Sequence, residues 1–107
     1  MSMVIVETSI FTRQVQTLLT DEEYRRLQAA LVARPDMGAI IAGSGGLRKA
    51  RWAARGRGKR GGVRVIYYWT VAQDRLLMLL MYAKSEQDDL TPDQLKVLKR
   101  IVEEECR

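Results

Sequence analysis

The chain has 107 residues, 47% of them hydrophobic and 29% charged, which fits one domain of ordinary size with its own core and not a disordered chain. It carries 18 basic and 13 acidic residues for a formal charge of +5, no histidine, and a single cysteine, Cys106. Histidine-based triads, HExxH zinc sites, internal disulfides and cysteine-built zinc sites are thereby excluded, and any proton transfer must run through lysine, arginine, tyrosine or a carboxylate.

A first strand is expected at Met3–Glu7 (MVIVE), which is short and β-branched. Thr8 or Ser9 then caps a helix in which Ile10, Phe11, Val15, Leu18 and Leu19 recur at helical spacing, ending near Thr20. Thr20 and Glu23 form a capping box for a second helix, with Asp21 and Glu22 in the first turn, where the helix dipole favours negative charge. Tyr24, Leu27, Ala30 and Leu31 mark its buried face. Arg34-Pro35 ends it, because the residue before proline avoids helical backbone. Asp36–Gly46 (DMGAIIAGSGG) reads as turn.

From Leu47 to Ala54 the residues alternate, so that Ala50, Trp52 and Ala54 share one strand face and Lys49, Arg51 and Ala53 the other. Arg55–Gly62 (RGRGKRGG) has no apolar residue and is expected to be a mobile hairpin loop. Val63–Val71 resumes as a strand with Val63, Val65, Tyr67 and Trp69 on one face and Arg64, Ile66 and Tyr68 on the other. Gln73 and Asp74 form the next turn, and Leu76–Lys84, apolar at nearly every position, suits a central strand covered on both sides. Thr91, Pro92 and Gln94 open a last helix with an apolar stripe at Leu95, Leu98, Ile101 and Val102. The order β-α-α-β-β-β-α describes a single α+β domain over residues 1–107, with helices packed on one face of a twisted, mainly antiparallel sheet. The longest apolar run, Leu76–Ala83, is too short to span a bilayer and no leader opens the chain, so a cytoplasmic protein is expected.

The positive charge is concentrated. Leu47–Arg64 (LRKARWAARGRGKRGGVR) holds Arg48, Lys49, Arg51, Arg55, Arg57, Lys59, Arg60 and Arg64 and no acid, while acids outnumber bases in the rest of the chain. Such self-repulsion points to a polyanionic partner such as nucleic acid, the alternative being a solvated charged loop. Even spacing within each strand puts Lys49 and Arg51, Arg64 and Tyr68, and Tyr82 and Lys84 on what is expected to be one uncovered sheet face, able to grip phosphate and stack on a base. Against this, Lys49 and Arg51 would also serve to keep an edge strand from aggregating. Trp52 and Trp69 read as core. Glu86, Asp88 and Asp89 lack the glycine and terminal glutamate of a calcium loop and are assigned to stabilising the helix start at Thr91. Gly43, Gly45 and Gly46 are not followed by GK[ST] and make no phosphate loop. Neither metal nor cofactor is expected.

Taken in order, Thr8–Phe11, DEEY at Asp21–Tyr24, GSGGLRKARWA at Gly43–Ala53, GKRGGVRVIYY at Gly58–Tyr68 and YAKSEQDDLTPDQ at Tyr82–Gln94 resemble the RelE/ParE superfamily of bacterial toxin–antitoxin toxins, most closely its HigB-like branch. The resemblance implies a metal-independent, ribosome-dependent mRNA endonuclease acting in the decoding site, and a cognate antitoxin, often a DNA-binding protein. By position Lys49 and Arg51 match the family's basic pair, Arg64 the arginine of its GxRxxY segment and Lys84 the lysine after the last strand. These four are the catalytic candidates, with Arg64 on the developing phosphorane, Lys49 or Arg51 positioning the message, Lys49 as proton acceptor and Lys84 as donor. Arg48, Arg55, Arg57, Lys59, Arg60, Tyr68 and Tyr82 are the candidates for contact with RNA and ribosome. Ser85 stands where RelE has an arginine, and Leu90 or Thr91 where it has a late tyrosine, so Tyr82 or Tyr68 is left as stacking group. A ParE-like inhibitor of DNA gyrase with the same fold and no nuclease activity is the alternative, against which the basic stretch and Lys84 argue. A non-catalytic RNA-binding module is a third.

Overall fold

Two threonines start the first two helices. The hydroxyl of Thr8 accepts the Phe11 amide at 3.1 Å and caps α1 (Ser9–Leu18). Thr20 accepts the Glu23 amide at 3.1 Å while the Glu23 carboxylate accepts the Thr20 amide at 2.8 Å, so the expected capping box opens α2 (Asp21–Ala33). A cap of this kind is worth about 1 kcal/mol. The computed structural model in which these contacts occur describes residues 3–54 and 62–105. The expected loop residues Arg55, Arg57, Lys59 and Arg60 lie outside them, as does Cys106.

The strands are β1 (Val4–Glu7), β2 (Ala39–Ile40), β3 (Arg48–Trp52), β4 (Val63–Thr70) and β5 (Arg75–Ala83), followed by α3 (Pro92–Glu105). They form one sheet in the order β1-β5-β4-β3-β2, with β1 parallel to β5 and every other pairing antiparallel. The two-residue β2, inside the stretch read as turn, is an addition to the expected order. It pairs only with β3, and a strand so short carries no periodicity to read. Its approach is set by Tyr67, whose hydroxyl donates to the Pro35 carbonyl at 2.7 Å and accepts the Gly38 amide at 2.9 Å. A Cβ at Gly38 would lie 2.8 Å from the Tyr67 ring, so only glycine fits.

On β5 the alternation is broken. Ile66 pairs with Leu80 and Tyr67 with Met78, leaving Leu79 as an extra residue in a bulge. α1 holds this irregularity: Thr8 donates its hydroxyl to the Leu79 carbonyl at 3.0 Å, and the Gln14 side-chain oxygen accepts the Met81 amide at 2.8 Å. Backbone groups beside the bulge are thus satisfied by side chains.

The bulged, doubly buried β5 has two apolar faces, and each has its own helical cover. Phe11, Val15, Leu27 and Leu31 of α1 and α2 pack with Val63, Val65, Tyr67, Leu76, Met78 and Met81. Leu98 of α3, flanked by Leu95, Ile101 and Val102, packs with Ile66, Leu77, Leu79, Leu80 and Tyr82. The expectation that all helices share one face therefore holds for α1 and α2 and fails for α3. Once the hairpin of helices fills one side, the stripe of α3 can be buried only on the other. Among the described residues no helix is long and apolar enough to cross a membrane.

Candidate nucleic-acid interface

The face that carries α3 also carries the cations. In the ladder Arg51 lies opposite Arg64, Arg64 lies opposite Tyr82, and Lys49 lies opposite Ile66. With neighbouring strands about 4.8 Å apart, Arg51, Arg64 and Tyr82 form a row roughly 10 Å long across three strands. Lys49 stands beside it on the same face of β3. The row begins where the β3–β4 connection ends, and Gly62 sets that point. Its φ of +61° and the 2.2 Å that would separate a Cβ from the Trp52 carbonyl oxygen exclude a side chain. The close approach at this glycine is made by the protein's own neighbouring strand.

Two of the three members of the row are closed to solvent. Arg64 is 3% exposed and Tyr82 5%, whereas Arg51 is exposed. What covers them is the segment between β5 and α3. Lys49 Nζ donates to Asp89 Oδ1 at 2.5 Å and to the Asp88 carbonyl at 3.2 Å. The Tyr82 hydroxyl donates to the same carbonyl at 3.2 Å, and the Asp88 carboxylate stands 3.6 Å from the Arg64 guanidinium. The expectation of an uncovered surface is corrected accordingly, and the acids assigned to the helix start are partners of the basic cluster. The hydrogen bond and charge of Lys49, followed by Arg51 and Arg64, hold the Asp89 carboxyl below the ordinary carboxylate range. Burial, and then the charge of Asp89, push the Tyr82 hydroxyl up, with Arg64 opposing.

The base of this strap is fastened separately, by contacts of its own. Leu90 packs at the edge of the α3 core, Gln87 donates to the Asp89 carbonyl at 3.0 Å and to the Gln94 side chain at 2.9 Å, and Gln94 and Thr91 form the expected reciprocal cap. The Asp88 and Asp89 side chains themselves are 64% and 77% exposed.

The remaining candidates fall elsewhere. Arg48 points to the opposite side of β3, where its guanidinium donates to the carbonyls of Gly38 at 2.7 Å and Asp36 at 3.3 Å and pins the turn after α2. Tyr68 shares the face of Arg64 but packs against the α3 core and over Gly46, away from the row. Lys84 follows β5 directly, with its amide bonded to the Gly62 carbonyl at 3.1 Å and its side chain exposed. It makes no salt bridge with a described residue. The structure thus brings together Lys49, Arg51, Arg64 and Tyr82, with Lys84 two residues beyond Tyr82. Asp88 and Asp89 were missed as site residues, although an acidic pair following closely on Lys84 and opposite in sign to the basic stretch was the signal for them.

Chemically, the arrangement offers three cations, two of them guanidinium groups, and one phenol over a short span. That composition suits a phosphodiester, whose oxygens accept paired N–H donors. A family model described as the RelE toxin of the RelE / RelB toxin-antitoxin system matches residues 3–106. The fold is also similar to the structure of an Escherichia coli toxin RelE double arginine-to-alanine mutant in the free state, with a TM-score of 0.61 and 12% sequence identity over 94% of this chain and 99% of that one.

Proposed function

The chain belongs to the RelE toxin family, and on that premise we propose that it is a metal-independent endoribonuclease that cuts translated mRNA in the ribosomal A site and so inhibits translation. The observation that carries this reading is the convergence of Lys49, Arg51 and Arg64 with Tyr82 on one face of β3, β4 and β5. Its partners are the ribosome with its message and a cognate antitoxin of the RelB kind.

RNA supplies its own nucleophile. The 2′-hydroxyl attacks the adjacent phosphorus, the bond to the 5′-oxygen breaks, and the products are a 2′,3′-cyclic phosphate and a 5′-hydroxyl. One proton leaves the 2′-oxygen and one reaches the 5′-oxygen. Arg64, fixed by burial, is suited to the charge that develops on the phosphorane oxygens, and Arg51 opposite it to holding the neighbouring backbone. Arginine does not give up its proton, so Lys49 is the acceptor and Lys84 the donor. Lys49 can take that proton only as the neutral amine, so its contact with Asp89 must open and one proton must first pass from Nζ to solvent. A site without histidine has modest intrinsic power, and the ribosome contributes by holding the message in line for attack.

Mapping message 5′ ends by primer extension after induction tests the proposal. Ends in phase with codons are expected from the parent. Growth arrest with intact messages contradicts a nuclease and favours the gyrase reading.

A further inference from the structure

We propose that Asp88 and Asp89 are a built-in stand-in for RNA phosphate: a strap that occupies Lys49 and Arg64 in the free protein and that the message must displace. The inference rests on the reading of this face as an RNA site and adds a competitor to it.

The argument starts from what the two carboxylates touch. Consecutive residues engage different cations, Asp88 with Arg64 and Asp89 with Lys49, as consecutive phosphates of a strand would. A carboxylate offers the same planar pair of acceptor oxygens that arginine and lysine seek on phosphate. Next comes the way the strap is held. Its base is tied down by Leu90, by the Gln87–Gln94 bond and by the Thr91 cap, whereas both acid side chains are mostly exposed. Each pair joins an exposed carboxylate to a sheltered cationic side chain, 4% exposed for Arg64 and 19% for Lys49, so another anion reaching that cation can take the carboxylate's place. Lifting the tip also breaks the bonds that the Asp88 carbonyl accepts from Lys49 and Tyr82, and it leaves α3 packed through Leu98.

The third consideration is what closure does to recognition. With the strap in place, two of the three clustered cations face carboxylates, so the potential offered to a passing polyanion is reduced. An anion that must evict both carboxylates needs two phosphates in register with Arg64 and Lys49, and a single anion gains little by exchange. The strap thereby discriminates against single anions and in favour of a strand with consecutive phosphates.

Counterion release separates this from a merely structural role. The probe is a 2′-O-methyl single-stranded RNA decamer, which cannot be cut, bound to the full-length protein and followed by fluorescence anisotropy between about 50 and 200 mM salt. For Asp88→Asn/Asp89→Asn the decamer is expected to bind roughly tenfold tighter than to the parent. Two cations relieved of their facing carboxylates also steepen the dependence of log affinity on log salt by about 1 to 2. Asp89→Asn alone, at a side chain exposed enough to leave the fold intact, is expected to give part of both effects. Unchanged or weaker binding in both variants overturns the proposal, as does lost cleavage with unchanged binding, which would make the acids positioning residues instead. Lys49→Ala and Arg64→Ala distinguish the two failures. If they bind the decamer as the parent does, the RNA site itself is wrong; if they lose it while the aspartate variants match the parent, only the strap is.

Discussion

Arg51 and Arg64 face each other directly across the β3–β4 ladder, two like charges at one register position with the Arg64 side chain buried. Opposed like charges in a sheet are destabilising, so the pair is a cost to the fold that binding an anion offsets. Arg51→Thr, a good strand former, is expected to raise stability by about 0.5 kcal/mol in urea unfolding while weakening growth arrest. Lower stability in that variant would show that Arg51 is held by contacts and not merely tolerated.

Arg64 is the cation the fold commits most to. It is 3% exposed, sits between β3 and β5, and lies 3.6 Å from Asp88. Arg64→Ala is expected to abolish growth arrest on induction. Arg64→Lys is expected not to restore it, because a point charge lacks the planar fork that two phosphoryl oxygens require. Full toxicity in the lysine variant would mean that charge alone suffices.

Alkaline pH probes the buried phenols. Burial first, and then contacts such as the Glu7 carboxylate at 2.5 Å from the Tyr24 hydroxyl, push Tyr24 up from 10.0, and burial does the same for Tyr67 and Tyr82. A folded pKa above the unfolded value favours the protonated, native form. The associated stability is therefore complete below pH 10 and falls as pH rises beyond it. The urea midpoint should hold level from neutrality to about pH 9 and drop above 10, with phenolate absorbance growing as the protein unfolds. Titration of all three phenols near 10 in the native protein would contradict their placement.

Gly62 tests the hairpin that aligns the row. Gly62→Ala combines a φ of +61° with a Cβ 2.2 Å from the Trp52 carbonyl, so the start of β4 must shift. A loss of about 2 kcal/mol or more is expected in urea unfolding. A change under about 0.5 kcal/mol would show that the strand end adjusts freely.

Local rules made much of this molecule legible. The Thr20–Glu23 box, the Arg34-Pro35 stop and the Thr91–Gln94 cap are each decided within four residues, and all three occur. Alternation through Val63–Tyr68 was enough to put Arg64 opposite the face of Val63 and Val65. What was not legible depends on distant partners. The bulge at Leu79 is stabilised by Thr8 and Gln14, about 70 residues away in sequence, within an unbroken apolar run that shows no sign of it. The side taken by α3 follows from α1 and α2 having filled the other. Lys49 meets Asp89 40 residues along the chain, and only the register of three strands brings them together.

The most direct measurement is cleavage of a defined message on purified ribosomes stalled with an empty A site, comparing the parent with Arg64→Ala and Lys49→Ala, all shown to be folded by their urea midpoints. Cuts in the A-site codon with a 5′-hydroxyl end from the parent, and none from either variant, are the predicted result. Equal cutting by all three, or none by the parent while it still arrests growth, would contradict the assignment of this cationic face as an RNA-cleaving site.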